Sequence, residues 1–524
     1  MKNNDLPIRK TLYFTVFISG LTSLAVEMAA SRLLGNFFGT SNLVWASIIG
    51  LILIYLAAGY FLGGYWADRS PSYRTFYQVL IWAALGIAVV PVASRPVLRV
   101  AADAFDQLQL GVLFGSFSAV LILLIVPVTL LGTASPFAVR LAVQETRSVG
   151  WVAGRIYAIS TLGSFIGTFL PILLLIPLIG TYRTFLVISL LLLIVALAGL
   201  WQAMGIRAAL PYFWSPILVI LLIWRGLSGT DKATQGLLYE TESTYNYIQV
   251  LQQGDFRLLR LNEGQGVHSI YHPTILHYNG PWEMVLVSPY FNPAPYDPVQ
   301  VKRIAIVGLA AGTTARQATA VYGPIPIDGF EIDPKIVEVG KTYFDMNEPN
   351  LNVIIQDGRW GLQHSPHKYQ IISIDAYRPP YIPPQMTTQE FFQVVHGKLT
   401  ETGVMIINVG RSPDDRRLIN ILASTILTVF PTVHVVDVPY SFNSVIYATV
   451  KPTVSSNLTD NLVYLMKKEE VHPLLLDSIR IAIASLQPAP PPAQVFTDDL
   501  SPIEWTTNNM VLSYLFNGDI EKYK

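Results

Sequence analysis

The chain has 524 residues, 52% of them hydrophobic and 13% charged, with no cysteine, which excludes disulfides, thiolate catalysis and Cys-ligated zinc. Its zero net charge hides an asymmetry: residues 1–228 hold 14 Lys and Arg against 6 Asp and Glu, a net of +8, and residues 229–524 hold 21 against 29, a net of −8. An acidic second half argues against nucleic acid as a partner.

The first 228 residues contain apolar runs at roughly 12–33, 43–66, 76–94, 109–139, 156–179, 182–204 and 210–226. A run of about 20 apolar residues spans a bilayer, so this part reads as a polytopic α-helical membrane domain of six or seven spans, with the lipid bilayer of the cell membrane as its partner. The first run is not a cleaved signal peptide, because further spans follow at once. An N-terminus on the inside places Lys2, Arg9, Lys10, Arg69, Arg74, Arg140, Arg147, Arg155 and Arg207 on the cytoplasmic side, as loops there collect basic residues. Seven spans would put the second half outside the cell. Pro211–Trp224, however, covers only about 20 Å as a helix against a core of about 30 Å. If it lies at the interface, six spans return the second half to the cytoplasm, where nucleoside cofactors are held, and this is the expected side.

Glu27 and Arg32 are ionisable residues inside the first run, where such groups are costly, and the two can pair. At the exit of the second run, Gly64-Tyr-Trp-Ala-Asp68-Arg69 resembles the short GxxxDR loop motif of major-facilitator transporters, although Ser70-Pro-Ser departs from it.

Residues 229–240 read as a linker. Residues 241–290 alternate apolar and polar side chains, as in Tyr245-Asn-Tyr-Ile-Gln-Val250 and Phe256-Arg-Leu-Leu-Arg-Leu261, with a turn at Asn262-Glu-Gly264; this period predicts a small antiparallel sheet. Residues 302–450 predict a Rossmann-like α/β domain of the class I methyltransferase type. Arg303–Gly308 is a strand running into a turn, Leu309–Gly312 a loop of small residues, and Thr313–Val321 a helix. Further strands end at Glu331, at Asp357-Gly358 and at Asp375, and a closing hairpin pairs Val433–Asp437 with Val445–Val450. Doubly wound folds bind their ligand at such strand ends. Gly308 and Gly312 allow close backbone approach, and Glu331, about 20 residues on, suits a ribose hydroxyl pair. Residues 451–524 read as a helical tail interrupted by Pro488-Ala-Pro-Pro-Pro492, which favours extended backbone.

Over roughly residues 240–450 these features resemble the spermidine synthase (polyamine aminopropyltransferase) family. The resemblance is carried by Glu242-Ser-Thr-Tyr245, Leu261-Asn-Glu-Gly264, Trp282-Glu-Met284, Glu331-Ile-Asp333, Gln356-Asp357-Gly358 and Asp375. Thr497-Asp-Asp-Leu-Ser-Pro502-Ile-Glu504 and Glu27-Met-Ala-Ala-Ser-Arg32 look like the branch in which a multi-pass array precedes the synthase-like domain. The resemblance implies transfer of an aminopropyl group from decarboxylated S-adenosylmethionine to a small amine substrate, with no metal. It places Glu331 on the ribose, Asp357 on the adenine amino group and Asp375 on the attacking amine. Tyr245, Glu283, Tyr377 and Arg378 then become candidates for substrate binding. Asp498 and Asp499 could fold back over the cleft as further amine-binding carboxylates. A homodimer through the soluble domain is compatible with the same resemblance.

The departures point elsewhere. The family's loop Asp is replaced by Ala311, the turn reads Glu263 with His268 where a Gln is expected, and Arg378 stands where a second Asp helps to hold a diamine. A cation beside the catalytic carboxylate repels a diamine and attracts an anion. Three readings therefore stay open: a membrane-tethered aminopropyltransferase, a non-catalytic synthase-like domain that regulates or scaffolds the membrane array, and a methyltransferase that uses intact S-adenosylmethionine.

Overall fold

The computed structural model describes residues 5–38, 42–108, 112–143, 149–225, 234–262, 266–377, 381–412 and 415–517. The chain divides into two compact units, Met1–Ala233 and Thr234–Lys524.

The regular elements among the first unit's described residues are all helices: α1 (Asp5–Phe38), α2 (Asn42–Arg69), α3 (Tyr73–Leu108), α4 (Val112–Gly132), α5 (Ala134–Ala142), α6 (Val149–Leu170), α7 (Ile176–Met204), α8 (Ile206–Ala209) and α9 (Trp214–Arg225). Six helical segments are long and apolar enough to cross a membrane, and the longest, Val149–Met204, has 56 residues. A straight helix of that length would run about 84 Å, far beyond a bilayer core of about 30 Å. The segment is broken: a π-helical turn at Pro171–Leu175 follows α6, and Gly180 takes φ 78° and ψ 169°. The two expected runs, 156–179 and 182–204, meet at that break. The last segment is longer than the run starting at Pro211 suggested, because its helix begins at Ile206 and a short 3-10 turn at Leu210–Tyr212 carries it into α9.

Small residues let these helices approach closely. A Cβ on Gly163 of α6 would fall 2.0 Å from the Phe17 carbonyl oxygen of α1. Large apolar side chains such as Phe61 and Trp224 are more than 80% exposed, which is consistent with helices that face hydrocarbon. At the end of α2, Asp68 accepts from Arg140 Nε of α5 at 3.1 Å, and Arg69 lies over the Tyr65 ring, so the charged residues of the GxxxDR segment are partnered.

The second unit opens with a four-stranded antiparallel sheet, β1 (Leu237–Glu242), β2 (Tyr247–Gln253), β3 (Phe256–Leu261) and β4 (Val267–Tyr271), joined in chain order. The sheet begins inside the expected linker and ends earlier than expected. Residues 281–287 are not part of it but form α10 (Pro281–Val287), because Pro281 at the first turn and Glu283 in a capping box favour a helix start.

The α/β core follows: β5 (Ile304–Val307), α11 (Thr313–Tyr322), β6 (Ile327–Glu331), α12 (Pro334–Tyr343), β7 (Leu351–Ile355), α13 (Gly358–His364), β8 (Tyr369–Ile374), α14 (Gln389–Lys398), β9 (Leu399–Gly410), α15 (Arg417–Leu427), β10 (Thr432–Asp437) and β11 (Asn443–Thr449). The seven strands lie in the order β10-β11-β9-β8-β5-β6-β7. β9, β8, β5, β6 and β7 are parallel, and β11 and β10 close the sheet antiparallel. Strands covered on both faces read as continuous apolar runs. Ile304, Ile306 and Ile406 pack on one face with α10 and α11, and Ala305, Val307 and Ile407 on the other with α14 and α15. The tail contributes α16 (Asn457–Leu465), α17 (Pro473–Ala484) and α18 (Ile503–Asn517). Between α17 and α18 the Pro-rich stretch at 488–492 forms neither helix nor strand.

Candidate active site

The carboxyl ends of β5, β6, β8 and β9 share one edge of the large sheet, and Gly308, Glu331 and Asp375 lie at or just past those ends. Gly308 follows β5 with φ 88°, and a Cβ at that position would lie 2.4 Å from the Asp375 carbonyl oxygen. Only glycine meets both demands. The loop that follows is fully bonded within the protein. The N–H groups of Gly308 and Leu309 donate to Phe330 O, Gly312 N–H to Leu309 O, Ala310 N–H to a Glu331 oxygen and Ala311 N–H to Ser269 Oγ. No N–H from Gly308 to Gly312 is left for a phosphate, so this loop is not the anion nest of a nucleotide-phosphate site.

Glu331 ends β6 and is buried. Its two oxygens accept from Ala310 N–H at 2.9 Å and Asp333 N–H at 3.1 Å. Burial pushes its carboxyl up to about 7 against the pull of those donors. Asp333 caps α12 and also accepts from Ser243 Oγ and Asn246 Nδ2, which ties the β1–β2 turn to the same edge. Asp357 caps α13 through Trp360 N–H at 2.9 Å.

Asp375 follows β8 and retains some exposed surface. Its backbone N–H donates to Val307 O, and one carboxylate oxygen accepts from Asn408 Nδ2 of β9 at 2.9 Å. Burial pushes its carboxyl up to about 6 against the opposing pull of Asn408. The Asn408 amide oxygen is enclosed and has no hydrogen-bond partner among the described residues. Tyr377 braces the loop: its hydroxyl donates to Asn408 O at 3.1 Å and accepts from Gly410 N–H at 2.8 Å. Its role in this structure is thus to hold β9 against the Asp375 loop.

The other candidates are placed as follows. Tyr245 is exposed in the β1–β2 turn. Glu283 is buried and accepts from the backbone N–H groups of Tyr278 and Gly280, so its first task is to cap α10. It also lines a cavity of about 240 Å³ with His277, Asn279, Tyr440 and Ser485. Asp498 does not offer a free carboxylate to an amine. Arg359 grips it with two hydrogen bonds of 2.7 Å, Thr388 Oγ1 adds a third, and the arginine holds its carboxyl below the usual range. Asp499 is exposed. Glu263 and Arg378 lie outside the described residues. His268 sits on β4; burial lowers its imidazole to about 4, and Nε2 has no partner.

Sequence reasoning did not single out Asn408, Ser243, Asn246 or Ser269. A polar residue near the end of the apolar strand Val404–Val409 was the available signal for Asn408. The other three are ordinary turn or strand residues until the small sheet docks on the loop.

Residues 283–459 match the family described as the spermine/spermidine synthase domain, so the C-terminal part carries such a domain. A "probable polyamine aminopropyl transferase" of Bifidobacterium longum is 36% identical over 226 residues, covering 42% of this chain and 49% of that protein. The polyamine aminopropyltransferase of Vibrio vulnificus is 27% identical over 208 residues, covering 37% of this chain and 65% of that protein. The match thus spans about half to two thirds of the length of these relatives. Among solved structures, a "probable spermidine synthase" from Corynebacterium glutamicum aligns with a TM-score of 0.40 and 20% identity, covering 50% of this chain and 97% of that one.

Proposed function

We propose that the C-terminal unit is an aminopropyltransferase, tethered to a membrane by the helical N-terminal unit, that takes decarboxylated S-adenosylmethionine as donor and an amine as acceptor. The observation that carries this reading is the pairing of Asp375 with Asn408 at the centre of the strand edge. An amine attacks only as the free base, so a group at the site must take or hold its proton. Asp375, with a carboxyl near 6, is a carboxylate at neutral pH that can accept one N–H. The unpartnered amide oxygen of Asn408 can accept another and fix the direction of the remaining lone pair. The donor supplies a sulfonium leaving group. The new C–N bond forms at the propyl carbon as its C–S bond breaks, methylthioadenosine leaves, and the amine proton passes to Asp375. Positioning contributes much of the remaining rate.

The donor side fits a nucleoside. The loop offers no phosphate cradle, while Glu331 and Asp357 keep lone pairs for ribose hydroxyls and an adenine amino group beyond the backbone donors that they cap. The deciding measurement is calorimetry with decarboxylated and intact S-adenosylmethionine, followed by a product screen over several amines. Methylthioadenosine release that depends on an amine supports the proposal; a methylated product from intact S-adenosylmethionine, or no turnover, rejects it. We propose the cytoplasm, where the donor pool is held, as the side of this site. A protease added to intact cells should then spare residues 229–524 and cut them in inside-out vesicles, and cleavage in intact cells would reject that placement.

A further inference from the structure

The helical unit holds a carboxylate that the reaction at the sheet edge does not use. Glu27 lies on α1, eight residues inside the apolar segment Lys10–Gly35 and about 12 Å from its end. It is partly buried. Among the described residues its carboxylate has neither a hydrogen bond nor an ion pair, and Arg32 is engaged by another partner. An ionisable side chain in hydrocarbon is costly unless something pairs with it, which is why such residues gather on ligand and ion paths. The surroundings of Glu27 are polar and locally irregular. α1 and α6 run parallel, because Phe17 meets Gly163 and Leu21 meets Gly167, four residues on in both. Gly20 also faces α6: a Cβ there would collide with the Ser160 carbonyl, and Ser164 Oγ donates to Gly20 O at 3.1 Å. Glu27 follows two turns beyond Gly20 on the same face of α1, with Ser23 and Ser31 one turn to either side. The parallel register brings it level with Leu173, inside the π-helical turn Pro171–Leu175 that α1 packs against. Such turns inside α-helices are frequent at functional sites.

We infer that Glu27, with the hydroxyl of Ser23, forms a binding site inside the membrane unit for the ammonium group of an amine. An ammonium group brings one charge and three N–H donors, which a carboxylate and a hydroxyl can answer. A bare metal ion needs about six oxygens. α1 is a regular helix here and keeps its carbonyls in its own ladder, and Pro171 O is held by Ile176 N–H. Nor do three His, Asp or Glu side chains gather among the described residues. The apolar helix faces around Glu27 suit the amine's carbon stem. This site stands apart from the reaction at the sheet edge and holds whether or not that reaction occurs.

A carbodiimide labels carboxyl groups in apolar surroundings, and mass spectrometry of peptides locates the label at Glu27 in the full-length protein held in lipid vesicles. With no S-adenosylmethionine present, n-butylamine should slow labelling of Glu27 by about tenfold or more at saturation. Sodium and tetramethylammonium at the same concentration carry the charge without an N–H and should leave the rate unchanged. Ser23→Ala should raise the half-protecting amine concentration roughly tenfold, the worth of a hydrogen bond to a charged group, with the rate in the absence of amine unaltered. Protection should persist in Asp375→Asn, and its loss there would assign the effect to the sheet edge and overturn the inference. Labelling that the amine does not slow, or that sodium or tetramethylammonium slows equally, also overturns it, as does a Glu27 that takes no label at all or a Ser23→Ala protein protected at the original concentration.

Discussion

At the ends of β5 and β6, every backbone N–H from Gly308 to Gly312 has a protein acceptor, and both oxygens of Glu331 are engaged. At the end of β9, the Asn408 amide oxygen is enclosed and has no hydrogen-bond partner among the described residues. Buried polar groups are nearly always paired, and the proposed amine would supply the partner that the Asn408 oxygen lacks. In the proposed reading the donor half is held by its own hydrogen bonds, and the acceptor half keeps the Asn408 oxygen open beside Asp375. The proposed reaction uses this contrast, with a preformed donor seat beside an acceptor seat that the amine completes.

The largest effect should come from the residue between the halves. Asp375→Asn removes the proton acceptor and should lower turnover by roughly 10²–10⁴. Methylthioadenosine binding should persist, because it rests on the other half. In the unaltered enzyme, kcat/KM should fall as pH drops through about 6, where the Asp375 carboxyl takes up the proton that it must accept. An Asp375→Asn protein with full activity would break the comparison at its centre.

Gly308→Ala tests whether the preformed half depends on backbone shape. A side chain there must tolerate φ 88° and a carbonyl oxygen 2.4 Å away. Stability should fall by roughly 1 to 3 kcal/mol, the cost of such strain, read as a lower midpoint in denaturant. An unchanged midpoint would mean that the loop adapts freely. Next in size, Glu331→Ala should weaken methylthioadenosine binding at least tenfold, about 1.4 kcal/mol. Equal affinity by calorimetry would remove Glu331 from the donor seat.

The smallest expected effect is on stability against pH. The folded-state carboxyl of Glu331 lies near 7, above its ordinary value of 4.5. The folded protein therefore holds a proton that the unfolded chain has released between those limits. The stability gained from that proton is full below about 4.5 and disappears as pH rises through about 7. Thermal midpoints of Glu331→Gln should vary less with pH across this window than those of the unaltered protein. Parallel curves would show that another group carries the dependence.

The amino-acid sequence by itself determined a large part of this protein. Long apolar runs have one stable solution in a bilayer, the helix, and their lengths are local properties. The strands ending at Glu331 and Asp375, the loop between two glycines and the closing hairpin were legible because apolar strands and turn residues write themselves over a few positions. Tertiary structure decided what those residues meet. The β1 strand, Glu242 included, lies partly in what reads as a linker, because its place is set by pairing with β2. Glu283 spends its carboxylate on a helix cap, and Arg359, 139 residues away in sequence, claims Asp498. Asn408 met Asp375 only when the crossover laid β9 beside β8. Spacing along a chain carries no trace of such neighbours, because strand order is fixed by packing of the whole sheet.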